Sequence, residues 1–230
     1  ITSGGRTAIG DALRTSLQEI RGAGDRAATQ VVVLLTDGRH NEGEAPASVL
    51  PDLVDHGVRV YTIGIGQSIE SSLLQRIASE TGGQFHRIDP SLSQSDQEFE
   101  IRKRLQEISG EARDGGGAVT TIPEHIGEET FSDEVLSERR VLVERGSDLA
   151  TLAISWKQRD SVLRLVAESP GGEEYEPGSV PGGARELTGQ QPWHGYHVHD
   201  PEPGEWALYL VAEAAEPPVD VSTFVFARNR

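Results

Sequence analysis

"VVVLLTDG", residues 31–38, decides the fold of the first half of this chain. Five consecutive β-branched and leucine residues fit a strand of a parallel sheet buried on both faces. The strand runs straight into Asp37-Gly38, which puts a carboxylate at the carboxyl edge of such a sheet. In open α/β folds that edge is where ligands bind. Taken alone, Asp37-Gly38 equally suits a plain turn that ends a strand.

Outward from this strand, helix and strand patterns alternate. Ile9, Leu13, Leu17 and Ile20 recur at helical spacing, so 8–21 reads as an amphipathic helix. Residues 47–56 read as helix, with Pro51 in a first turn or at a kink. "VRVYTIGIG" (58–66) is a second strand. Ile69, Leu73, Leu74 and Ile77 mark a further helix, stopped by Gly82 and Gly83. "QFHRI" (84–88) is a third strand, and 93–110 a last polar helix with Leu105 and Ile108 inward. This order predicts a doubly wound α/β unit over 1–112.

The texture changes at "EARDGGGA" (111–118), and 113–118 reads as a Gly-rich linker. From 119 to 230 short β-type runs such as "LATLAISW" and "EWALYLVAEA" alternate with Gly- and Pro-rich turns. That is the spacing of an antiparallel β-sandwich. Trp156, Trp193 and Trp206 are expected as core or rim aromatics.

Composition narrows the function classes. The formal net charge is −16, which disfavours nucleic acid and anionic lipid as partners. Cysteine is absent, which excludes disulfide and thiolate chemistry. Methionine is absent as well, position 1 included, so a processed or partial chain is expected. No apolar run reaches the roughly 18 residues of a membrane helix, so direct membrane insertion is not expected. There is no G-x-S-x-G elbow and no P-loop, and "GIGQSIESS" lacks the third glycine of a dinucleotide loop. An enzyme is not expected.

"GGRTAIGDAL" (4–13) supplies a second piece of chemistry. Two glycines permit a tight backbone turn, and Thr7 presents a hydroxyl at the start of a helix. The same threonine also suits an ordinary N-cap, and Asp11 suits the helix dipole. In this order, "GGxTxxG", a helix, a buried strand and "TDG" resemble the von Willebrand factor type A domain over roughly residues 1–110. The resemblance implies a metal-ion-dependent adhesion site in which Thr7 and Asp37 are ligands of Mg²⁺ or Ca²⁺, with Mn²⁺ an alternative. It implies a protein partner whose acidic residue completes the ion's shell. Arg6, Arg39 and His40 flank the two loops and form a candidate ligand rim; as loop residues they also suit plain solvation. The family's Asp-x-Ser-x-Ser loop is not found before Thr7, and "DPSLS" (89–93) has the wrong spacing. That loop and the amino-terminal part of the domain are expected before Ile1, which leaves the site incomplete in this chain.

The sandwich that follows, with "LAISWKQRDSVLRLVAESPGG" and "PGEW" (203–206), resembles the calcium-activated chloride-channel regulator group and its bacterial relatives. The implied setting is a larger extracellular or cell-envelope protein. The expectation is a metal-dependent adhesion or protein-interaction module. The alternative is a non-catalytic regulatory segment of a larger secreted hydrolase or channel-regulator-like protein. One motif falls outside the resemblance. In "HGYHVHD" (194–200), His197 and His199 share one face of a strand and form a second candidate metal pair, or a solvent-facing strand with two histidines.

Overall fold

A computed structural model describes residues 5–23, 29–112, 119–126, 134–188, 192–215 and 218–229. The chain divides into two compact units, Ile1–Ile101 and Arg102–Arg230. The expected linker at 113–118 lies outside the described residues. The division falls inside a helix, ahead of the Gly-rich stretch, because the end of that helix packs on the β-rich unit.

The first unit runs α1 (Ile9–Ala23), β1 (Val31–Thr36), α2 (Pro46–Asp55), β2 (Arg59–Ile65), α3 (Ser71–Glu80) and β3 (Phe85–Ile88), followed by the start of α4 (Gln94–Ala112). The three strands form a parallel sheet in the order β1-β2-β3. Its register pairs Val31 with Arg59 and Thr62 with Phe85. The core is the helical stripe read from the sequence: Ile9, Leu13 and Leu17 of α1 meet Leu50 and Leu53 of α2, Val60 of β2 and Ile77 of α3. Pro51 sits inside α2 rather than in its first turn. Thr81 ties α3 to the sheet: its hydroxyl accepts from the Val60 amide at 3.0 Å and donates to the Ile77 carbonyl at 2.8 Å.

Among the described residues β1 is not buried on both faces. Val32 and Leu34 pack against the core, whereas Val33 is 38% exposed and Leu35 51% exposed. β1 is an outer strand of the described sheet, and alternate side chains of a strand point to opposite faces. The helices of this core cover one face of it.

Among the described residues the second unit holds the end of α4 and nine strands: β4 (Val119–Ile126), β5 (Glu134–Val143), β6 (Ser147–Trp156), β7 (Val162–Glu168), β8 (Glu174–Tyr175), β9 (Ala184–Thr188), β10 (Trp193–His199), β11 (Gly204–Ala214) and β12 (Val219–Asn229). They form two antiparallel sheets, β4-β12-β6-β10-β9 and β5-β11-β7-β8. Between them lies a core of Leu152, Ile154, Trp156, Leu165, Tyr196, Trp206 and their neighbours. The polar tips of the core aromatics are all satisfied. Trp156 Nε1 donates to Ser161 O, Trp206 Nε1 to Glu202 O and the Tyr196 hydroxyl to Leu165 O, at 2.7–2.8 Å. Burial pushes the Tyr196 hydroxyl's pKa well above the ordinary tyrosine value.

Two of the expected aromatics, Trp156 and Trp206, are core residues, and Trp193 is partly exposed at the rim. Leu105 is corrected: Ile108 of α4 is buried, but Leu105 is 42% exposed. Residues three apart are neighbours on one helix face, but Leu105 lines a cavity, so nothing fills the space against it.

Candidate functional site

The structure brings the two sequence motifs together at the carboxyl edge of the parallel sheet. The loop after β1 is held in shape by Thr36, whose hydroxyl accepts from the Gly38 amide at 3.3 Å. Gly38 then lies directly against Thr7: a Cβ at Gly38 would sit 2.7 Å from Thr7 Oγ1. Only glycine admits that approach without displacing the hydroxyl. The loop after β2 also reaches this place, since a Cβ at Gly66 would be 3.6 Å from the Asp37 carbonyl oxygen. Asp37 is exposed and Thr7 half-buried.

One residue absent from the sequence reading organises the pair. Asn41 Oδ1 accepts from the Thr7 amide at 2.8 Å, Asn41 Nδ2 donates to Gly5 O at 2.9 Å, and the Asn41 amide donates to Thr7 O at 3.1 Å. A single residue, with two side-chain bonds and one backbone bond, thus fixes the Gly5–Thr7 turn against the 37–45 loop. Asn41 lies four residues after Asp37 in a polar stretch, and no local pattern marks it.

Below this clamp the same two segments are stitched twice more. Asp11 Oδ1 accepts from the Glu44 amide at 2.7 Å, so Asp11 serves the loop as well as the helix dipole. A Cβ at Gly10 would lie 1.8 Å from Glu44 O, so the helix can approach the loop only with glycine there. Arg14 of α1 grips Glu44 at 2.7 Å and also pairs with Asp52 of α2. Hydrogen bonds from Arg14, and then from Ser48, hold the Glu44 carboxyl down at about 2, and Arg14 lowers Asp52 as well.

The candidate rim is partly engaged. Arg6 forms an exposed ion pair with Glu42 at 3.1 Å, an interaction of the kind that contributes little. Arg39 is exposed. His40 is half-buried, and its Nδ1 is shielded without a hydrogen-bond partner among the described residues.

"DPSLS" has a local explanation. Asp89 Oδ1 accepts from the Ser91 amide and hydroxyl at 2.8 and 2.7 Å, bonds that lower its pKa. Ser93 caps α4 by accepting from the Asp96 amide at 3.2 Å. Asp89 follows β3, two strands away from β1, or about 10 Å at ordinary strand spacing. It is therefore set apart from Thr7 and Asp37.

His197 and His199 do share the outer face of β10, where His197 is half-buried and His199 exposed. His194 faces the other way. Its Nδ1 accepts from the Leu165 amide at 3.1 Å, which leaves the Nε2 proton to donate to Glu186 at 3.1 Å. The histidines of this motif are therefore split between two faces.

The Thr7 hydroxyl and Asp37 carboxylate are hard oxygen donors of the type that Mg²⁺, Ca²⁺ and Mn²⁺ prefer. Among the described residues there is no group of three or more His, Cys, Asp or Glu that could hold a metal. By donor chemistry the two residues match part of the oxygen set such a cation takes.

Residues 1–110 match the family model of the von Willebrand factor type A domain. Among solved structures, the chain is similar to a von Willebrand factor type A protein from Catenulispora acidiphila, at 17% identity and a TM-score of 0.39, over 97% of this chain and 43% of that one. It is similar to an uncharacterized membrane-spanning protein from Vibrio fischeri, at 24% identity and 0.31, over 45% and 56%. It is similar also to the lipase BlEst2 of Bacillus licheniformis in its propeptide form, at 10% identity and 0.32, over 95% and 64%. The chain thus spans less than two thirds of each of these. No curated protein matches it significantly.

Proposed function

We propose, from the premise that residues 1–110 are a von Willebrand factor type A region and hence of a generally protein-binding kind, that the chain is a non-enzymatic interaction module. It works within a larger extracellular or envelope protein. Its recognition point is the junction of the Thr7 turn and the Asp37 loop. When bound there, a divalent cation would supply a positive Lewis-acid centre that attracts a carboxylate of the partner protein. Thr7 and Asp37 are the residues of this chain that would hold it, with Asn41 keeping the Thr7 turn in register and Arg39 adding positive charge beside it.

The observation that carries this reading is the seating of Gly38 against the Thr7 hydroxyl, locked by three Asn41 hydrogen bonds. A turn with no role beyond closing a strand has no need of a second segment held this closely against it.

The test is thermal unfolding of the chain with and without Mg²⁺, Ca²⁺ or Mn²⁺. At a concentration ten times the dissociation constant, a bound ion stabilises by about 1.4 kcal/mol, a rise of roughly 6–11 °C for a unit of this size. Asp37→Ala and Thr7→Val should each remove the rise and leave the metal-free melting temperature nearly unchanged. A rise that persists in both variants, or none in the parent chain, sinks the reading.

A further inference from the structure

The outer face of the five-stranded sheet carries a cavity of about 370 Å³ roofed by the last turns of α4. All of its walls belong to the second unit. Its shape follows from the cross-strand register. One row runs Leu187, Gly195, Ala153, Phe224 across β9, β10, β6 and β12. The next runs His197, Thr151, Phe226 across β10, β6 and β12. Two small residues at the centre of the first row leave a trough between larger neighbours. Gly195 cannot be enlarged: a Cβ there would fall 2.4 Å from Leu152 O and 2.6 Å from Ala153 Cβ. Above the trough, α4 is fastened by Arg102, which donates to Trp156 O at 3.1 Å, and by Gln106, which accepts from the Ser155 hydroxyl at 3.3 Å.

The lining is aromatic and apolar, with Trp193, Phe224 and Phe226 as its large walls. A cavity near the small end of ligand-site volumes, mostly apolar with a few convergent polar groups, is the ordinary form of a small-molecule site. Two polar features give it direction. Thr151 is 7% exposed, lines the cavity, and its hydroxyl has no hydrogen-bond partner among the described residues. Buried hydroxyls are rarely left so, and each such case calls for a partner. In addition, the chain carries 37 acidic residues, yet no carboxylate is in the described wall, whose charged side chain is Arg102. Against a surface this acidic, a wall with a guanidinium and no carboxylate favours a negative ligand.

We infer that this cavity binds a small amphipathic carboxylate, an apolar acyl or aromatic body with one acid group. The body lies in the Gly195–Ala153 trough against Phe224, Phe226 and Trp193. The acid end accepts from the Thr151 hydroxyl within the field of Arg102. This site is independent of the Thr7–Asp37 junction.

Trp193 reports on it, because the other two tryptophans, Trp156 and Trp206, are fully buried. The full chain is titrated with decanoate and, separately, with decylammonium, following tryptophan emission, and binding is checked by calorimetry. Decanoate should give a saturable change, absent in Trp193→Phe, and bind at least about tenfold more tightly than decylammonium, as a charge-assisted contact requires. Ser109→Trp, at an exposed position of α4 on the cavity rim, should abolish calorimetric binding without affecting the fold. Thr151→Val, of equal shape, should weaken it several-fold. No saturable binding, equal affinity for the ammonium, or undiminished binding in Ser109→Trp overturns the proposal.

Discussion

β1 and β6 are both strands of apolar sequence, "VVVLLT" and "SDLATLAISW", and they end in opposite surroundings. β6 sits in the middle of five strands, and nine of its ten residues are buried. β1 is an outer strand of the described sheet, with two of its large side chains exposed. By sequence β1 is the more apolar, five residues of six against six of ten in β6; what decides burial is how many elements flank them. β6 has a facing sheet on one side and the end of α4 on the other. An apolar strand states that it can be buried, and its neighbours decide how far.

The largest expected break in this contrast is at Trp206, 0% exposed at the centre of the sandwich and 5.2 Å from the Tyr175 ring. Trp206→Ala should cost about 3–5 kcal/mol in urea unfolding of the second unit. Next comes a matched pair. Leu152→Ala in β6 should cost about 2–5 kcal/mol, whereas Leu35→Ser in β1 should stay within about 0.5 kcal/mol, as for an exposed site. Equal costs at the two positions would mean that β1 is covered in solution, and the comparison would have to be redrawn.

The smallest effect is electrostatic and confined to the first unit. Glu44 is held at about 2, below its ordinary 4.5, and Asp52 is lowered too. Carboxylates depressed by folding add stability that is fully present above their unfolded values. It is lost as pH falls from about 4.5 toward 2. Arg14→Ala should flatten the acid limb of the first unit's melting curve and leave that of the second unit unmoved. Because these groups are solvent-accessible, the change should be modest and should shrink in salt.

Much of the first unit was legible because its signals are local. Helical periodicity found α1 and α3, and an unbroken apolar run found β1. Thr7 and Asp37 were legible as a pair through the resemblance to the von Willebrand factor type A domain, and the geometry does bring their loops together. Asn41 was not legible, because its partners Gly5 and Thr7 lie 34 or more positions away. The histidine motif was legible in part. Strand alternation correctly put His197 and His199 on one face, but the buried hydrogen bonds to Leu165 and Glu186 show that His194 belongs to the core. Leu105 was read as inward because periodicity marks a stripe without saying what lies opposite it; here its neighbour is a cavity.

The sequence by itself determined the order of elements, the parallel and antiparallel halves, the acidic character and the two loops that carry oxygen donors. These follow from periods of 3.6 and 2, from turn residues and from charge, all of which act over a few residues. Tertiary structure alone decided which apolar strand is covered, that α4 lends its end to the sandwich, that Asn41 locks the Thr7 turn, and that Gly195, Ala153 and Thr151 form the floor of one cavity. Each of those depends on register and contact between segments far apart in the chain, and no local pattern encodes the distance between them.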